Sequence, residues 1–208
     1  MNILALDTSR KTSDASLRLA TGEILTRSCT EKNNESLLPM LQALLSVAEM
    51  ELSQLQALCV CVGPGSFTGL RIGMTTMKSL AQVLGIPLYG LDTLTALQRV
   101  AGTDAVPLLD ARGGRVYTKK DTKTELVEAA DLKKDGQYVA FSSQALQESL
   151  CDTDVTWIAS DRPLSPVLAA HAEQQLQAGV SGAWRTLLPD YVGVSQAERE
   201  REKKLCRE

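Results

Sequence analysis

The chain has 208 residues, a formal net charge of −3 and a 44% hydrophobic share, of which aromatics supply little (4% of residues). That suffices for one or two domains with aliphatic cores. The acidic balance, with no basic cluster outside a mixed C-terminal tail, excludes a stand-alone nucleic-acid binder, and the scarcity of rings excludes a base-stacking platform. Cys29, Cys59, Cys61, Cys151 and Cys206 form no C-x-x-C motif and read as reduced thiols of a cytoplasmic protein. The N-terminus lacks a basic leader region, and no run of about 18 apolar residues predicts a membrane span.

Ile3–Leu6 is a short apolar run ending in the polar Asp7-Thr8-Ser9, as expected of a buried strand that delivers a loop. Ala15, Leu17 and Leu19 alternate with polar residues, and Glu23–Cys29 has strand composition after the Thr21-Gly22 turn. A helix follows, with Asn33, Asn34 or Ser36 as its cap and Pro39 in its first turn. Its apolar residues include Leu37, Leu41, Leu44 and Leu45. That stripe is wider than one sheet-facing side requires, so the surplus is expected to face either another helix of the chain or a partner.

Leu55–Val62 predicts a strand that runs into Gly63-Pro64-Gly65-Ser66-Phe67-Thr68-Gly69-Leu70-Arg71-Ile72-Gly73. The glycines allow a tight turn into a helix that ends before Gly85. Gly69 and Gly73 lie on one face of that helix, with Leu70, Met74 and Met77 beside them, and permit close approach by another element. Leu88–Leu91 predicts a strand, and Asp92 or Thr93 starts a third helix that runs to Val100. Residues 101–104 read as a joint between a first domain, 1–101, and a second, 102–195. In the second, Ala105–Leu109 is a strand ending at Asp110, Gly113-Gly114 turns the chain, and Val116-Tyr117-Thr118 begins a hairpin. The polar stretch 119–137 is expected to be loop. A helix over 142–150, a strand over 155–159 and a helix over 163–178 follow, and 196–208 is a charged tail.

The chemistry legible in this pattern is that of a degenerate site. Two acids at matching strand ends, Asp7 and Asp110, suggest a nucleotide cleft between two lobes, but Thr8, Ser9 and Arg10 stand where a phosphate loop needs glycine. The glycine-rich turn is not a Walker A loop; Gly65, Ser66 and Arg71 could at most contact an anion at a helix N-terminus. A single histidine, His171, excludes a two-histidine metal site and reads as a packing residue.

The segments Ile3–Ser9, Gly63–Gly73 and Leu108–Tyr117 resemble the bacterial TsaB (YeaZ) family of tRNA threonylcarbamoyladenosine biosynthesis proteins. The resemblance implies an α/β fold of two actin-like (ASKHA, RNase H-like) lobes, the second of them trimmed. It also implies a cytoplasmic, non-catalytic subunit that binds no cofactor or metal itself. Such a subunit pairs with a TsaD-type catalytic subunit and a TsaE-type ATPase, which carry the ATP and metal, and meets tRNA through that complex. In the catalytic relative a His-x-x-x-His pair follows the corresponding strand; here the matching positions are Thr93 and Leu97, and leucine ligates nothing. Under this reading, Leu37, Leu41, Leu44 and Leu45 on the first helix, with Gly69, Leu70, Gly73, Met74 and Met77 on the second, are expected to meet the same helices of the partner or of a second copy. Asp7, Thr8, Ser9, Gly65, Ser66, Arg71 and Asp110 would form a vestigial anion site. The competing expectations are an ASKHA-type nucleotide-dependent phosphotransferase and, weakly, a metallopeptidase.

Overall fold

The computed structural model describes residues 1–30, 34–120 and 123–192. The cap candidate Asn33, the tail 196–208 and Cys206 lie outside the described residues. The first sheet is built from β1 (Ile3–Asp7), β2 (Ser13–Arg18), β3 (Ile24–Cys29), β4 (Ala57–Cys61) and β5 (Leu88–Leu91), in the order β3-β2-β1-β4-β5. The first three strands form an antiparallel meander, while β4 and β5 join in parallel after helical crossovers. Their connections are α1 (Asn34–Val47) and α2 (Phe67–Leu84), and α3 (Thr93–Ala101) follows β5. Ser66 caps α2 by accepting from the Gly69 amide, and Gly85 ends it in the left-handed conformation; Asp92 and Gly102 do the same for α3.

The second sheet repeats this plan. Its strands are β6 (Val106–Arg112), β7 (Arg115–Lys120), β8 (Lys123–Glu128), β9 (Gln137–Phe141) and β10 (Asp154–Ile158), in the order β10-β9-β6-β7-β8. The end of β7, β8 and a 3-10 turn at Ala129–Asp131 correct the expected loop over 119–137, and β9 begins where that stretch ends. β8 is an edge strand that alternates Lys123, Glu125 and Glu128 with half-buried residues, so its apolar signal is weak. The trimming of the second lobe falls on its helices. A single 3-10 turn at Ala129–Asp131 stands where α1 would be, and the six-residue α4 (Gln144–Ser149) stands where the 18-residue α2 would be.

The third helix of each lobe crosses to the other sheet. Helix α3 packs on β6 and β9, whereas α5 (Ser165–Gln177) packs on β4, β1 and β2. A cut at residue 101 therefore separates the two sheets but not the two packing units. Ile3, Cys59, Leu94, Leu97, Val139, Phe141 and Leu168 belong to one apolar cluster that runs from the first sheet through α5 and α3 to the second. Arg18 of β2 seats α5 through Glu173 at 2.8 Å.

The outer face of the first sheet is covered by α1 and α2, and this corrects the expected partner surface. Leu37, Leu41, Leu44 and Leu45 of α1, and Leu70, Met74 and Met77 of α2, are buried within the chain. The α1 stripe is wide because the helix lies over β2 and β3 and its buried residues join those of α2 in one apolar cluster of this chain. The outward residues of these helices are Leu38 (55% exposed), Val47 (58%), Phe67 and Val83 (83%). Leu41→Glu, which places a charge in this core, should lower the unfolding free energy by more than about 3 kcal/mol. Leu38→Glu should change it by less than ~0.5 kcal/mol. Urea unfolding followed by circular dichroism distinguishes the two, and equal effects would contradict this assignment.

Candidate functional site

A cleft of ≈ 1480 Å³ lies between the lobes, lined on one side by residues 8–13 and the start of α2 and on the other by the ends of β6 and β9. The end of β1 places Asp7 just before the lining residues Thr8 and Ser9, fully buried. Both carboxylate oxygens of Asp7 are already engaged. The Ser9 amide donates to Oδ1 at 2.8 Å and Arg10 Nε donates to Oδ2 at 3.2 Å. The same guanidinium donates through Nη2 to Asp14 Oδ2 at 3.1 Å. It also reaches the second lobe, where it donates to the Ser160 and Arg162 carbonyls at 3.1 and 3.0 Å and lies 4.1 Å above the Phe141 ring. Asp14 is buried too, and its Oδ1 accepts the Ser165 amide at 2.7 Å at the start of α5. Burial, reinforced by the charge of Asp7, pushes the Asp14 carboxyl up from 3.8 to about 7, against the opposing pull of Ser165 and Arg10.

The glycine-rich turn serves this loop. An added Cβ on Gly65 would collide with the Ser9 backbone, one on Gly69 with the Thr8 carbonyl, and one on Gly73 with the Thr8 hydroxyl. The Ser66 amide donates to the Ser9 carbonyl at 2.7 Å, and Thr8 Oγ1 donates to the Gly69 carbonyl at 2.8 Å. The close approach foreseen at Gly69 and Gly73 is therefore real, but the approaching element is this chain's own Thr8-Ser9 segment. That corrects their assignment to a partner surface.

Arg71, one turn into α2, lies 4.0 Å from the Phe67 ring centroid and donates to the Tyr191 hydroxyl at 3.1 Å. On the opposite wall Asp110 is exposed, and its Oδ1 accepts the Arg112 amide at 2.7 Å across a bulge in β6. Asp110 thus lines the cleft as a solvated carboxylate, whereas Asp7 lies paired and dry behind the lining residues that follow it.

Thr93 and Leu97 are fully buried. The Thr93 hydroxyl donates to the Pro64 carbonyl at 2.7 Å and lies 3.0 Å from Cys61 Sγ, and Leu97 is core. Among the described residues no group of three His, Cys, Asp or Glu is placed to hold a metal. Cys59 and Cys61 share one apolar cluster, and burial pushes both thiols up. His171 packs between α5 and α3 with Nδ1 3.3 Å from Arg99; burial and that charge lower its pKa. No described helix is long and apolar enough to cross a membrane.

Sequence reasoning missed three participants. Arg10 stands in the sequence where a glycine is missing, although Asp7-x-x-Arg10-x-x-x-Asp14 spaces a cation between two acids. Asp14 is hidden in a strand whose signal comes from its apolar residues. The third participant is the segment after α5, which folds back along β5. The Val180 carbonyl accepts from Tyr89 Oη at 2.8 Å, and the Asp190 amide donates to the Val62 carbonyl at 2.7 Å.

Residues 9–148 match the family model described as TsaD, tRNA N6-adenosine threonylcarbamoyltransferase. The chain is 30% identical to the tRNA threonylcarbamoyladenosine biosynthesis protein TsaB of Bacillus subtilis over 95% of this chain and 96% of that protein. It is 33% identical to the TsaB protein of Escherichia coli over 56% and 53% of the two chains. The solved structure of YeaZ from Pseudomonas aeruginosa superposes with a TM-score of 0.77 at 24% identity, covering 92% of this chain and 99% of that one. The fold is accordingly that of two actin-like lobes.

The acid pair makes a signed prediction. Unfolded, Asp14 titrates near ~3.9. Between that value and about 7 the native state holds a proton that the unfolded chain has lost, so stability should fall as pH rises through this window. Asp14→Asn, which does not titrate, should lose that component. Urea midpoints measured across the window should therefore decline more steeply for the wild type than for the variant, and parallel curves would refute the assignment.

Proposed function

Because the chain belongs to the TsaB family of tRNA threonylcarbamoyladenosine biosynthesis proteins, we propose that it acts in that pathway as a non-catalytic subunit. In this reading it binds and organises a TsaD-type catalytic subunit, together with a TsaE-type ATPase. The observation that carries the non-catalytic role is the complete burial of Asp7 and its pairing with Arg10 and the Ser9 amide. A carboxylate that must hold a metal–nucleotide complex needs free lone pairs and a loop whose amides wrap phosphate. Here each oxygen already accepts from one of the chain's own donors, the carboxylate is fully buried, and the loop backbone is packed against Gly65 and Gly69. Thr93 and Leu97 support the same reading, since their surroundings are core and not ligand sphere.

ATP and metal are then supplied by the partner subunits, and tRNA is met through the complex. The partner surface is assigned to the outward faces of α1 and α2, with Leu38 and Val47 on the first and Phe67 and Val83 on the second. The same face would serve a second copy when the partner is absent, because related chains present related helices. The alternative, an ASKHA-type phosphotransferase, draws support from Asp110, which faces the cleft as a solvated carboxylate, and is opposed by the pairing of Asp7.

Two measurements test the proposal. The isolated chain should hydrolyse Mg·ATP no faster than buffer; a rate abolished by Asp7→Ala would favour the phosphotransferase. On mixing with the TsaD-type protein of the same organism it should co-elute in size exclusion, and the Leu38→Glu/Val47→Glu variant should bind at least about tenfold more weakly with an unchanged melt. Retained affinity in that variant would place the interface elsewhere.

A further inference from the structure

We infer that the two lobes are locked at one angle by three polar ties at two places, Arg10 at one and the paired residues Lys119 and Thr124 at the other, together with the apolar layer between the sheets, so that the cleft neither opens nor closes in the isolated chain. The first tie is Arg10, which is paired to Asp7 and Asp14 in the first lobe and donates to the Ser160 and Arg162 carbonyls in the second. The second is Lys119 on β7. Its Nζ donates to Asp92 Oδ2 at 2.9 Å and to Thr95 Oγ1 at 2.6 Å, at the capped start of α3. The third is Asp190, whose amide is held by the Val62 carbonyl next to β4 while its Oδ2 accepts the Thr124 hydroxyl of β8 at 2.9 Å.

Lys119 and Thr124 are register partners on β7 and β8, so the second and third ties act together at one place and Arg10 acts at another. Arg10 meets Phe141 at the end of β9 and the carbonyls that follow β10, whereas Lys119 and Thr124 lie on β7 and the edge strand β8 at the other side of the second sheet. A hinge motion would break hydrogen bonds to charged groups, which are the costly ones to lose when partly buried. The layer between the sheets resists the same motion. Leu94 and Leu97 of α3, Leu168 of α5, and Val139 and Phe141 of the second sheet share one close-packed cluster with Ile3 and Cys59, so sliding one lobe over the other must repack it. Domain closure requires a few residues that absorb the change at low cost. Here the crossings between lobes are the exchanged helices themselves.

The consequence is a surface presented at a preset geometry, to which a partner docks as to a rigid body. The inference concerns the isolated chain and does not rest on the proposed function. Distances between spin labels test it. With Cys29, Cys151 and Cys206 replaced by serine, labels at Val83→Cys on α2 and Asp152→Cys beyond α4 report the angle between lobes by double electron–electron resonance. The wild-type background should give one narrow distance distribution that saturating Mg·ATP leaves unchanged. Lys119→Met with Thr124→Val, which removes two ties while keeping side-chain volume, should broaden it at least about twofold. A broad, bimodal or nucleotide-shifted distribution without those substitutions overturns the inference. So does a doubly substituted chain that is as narrow as its parent and equally folded by circular dichroism. The wild-type measurement decides even if the variant fails to fold.

Discussion

One guanidinium governs the centre of this molecule. Asp7 and Asp14 are both fully buried, and two carboxylates without a cation would be unaffordable in that setting. Arg10 lies between them in sequence and in space, and its remaining donors are used by carbonyls of the second lobe. Three features follow from this placement. The loop after β1 is bent back so that its side chain points inward, the carboxylate at the strand end is closed to outside ligands, and the second lobe is drawn to the first. Asp14 accepts the first amide of α5, which joins the charge cluster to the helix that covers the inner face of the first sheet.

The glycines of α2 are the steric counterpart of that charge cluster. A loop folded against a helix start needs backbone-to-backbone contact, and a Cβ at Gly65, Gly69 or Gly73 would push the Thr8-Ser9 segment away. Moving that segment would shift the Ser9 amide away from Asp7 and leave a buried carboxylate short of a donor. The glycine-rich turn, which in a nucleotide-binding protein would suggest a phosphate cradle, here holds the chain's own loop.

The first lobe was legible because its signals agree: apolar strands, clear caps at Ser66 and Asp92, and glycine stops at Gly85 and Gly102. The second lobe was less so. Strand β9 follows a polar stretch, and β8 is an edge strand whose exposed positions are charged, so neither shows the pattern that β1 and β4 show. At the site the acids Asp7 and Asp110 were found, as was the loss of a phosphate loop. What replaced that loop was not, because an absent glycine says nothing of which acids the arginine in its place will pair with. The partner surface failed for a different reason. The width of an apolar stripe says how much of a helix is covered, but not by what; on α1 the covering elements belong to its own chain.

The two lobes share a strand plan and differ in what covers it. Both sheets have five strands in the same order, yet the outer helices of 14 and 18 residues on the first are reduced to a 3-10 turn and a six-residue helix on the second. A sheet needs only enough cover to keep its apolar face dry, and the second sheet achieves this with Leu146 and Leu150 around Leu108 and Tyr138. The long helices of the first lobe exceed that minimum, and their outward sides carry exposed Leu38, Val47, Phe67 and Val83. Extended apolar helical faces survive in one lobe and not in the other, while the strand plan survives in both. What the first lobe carries beyond the needs of its own core is the face to which the proposed partner contact is assigned, and the second lobe has no counterpart of it among the described residues.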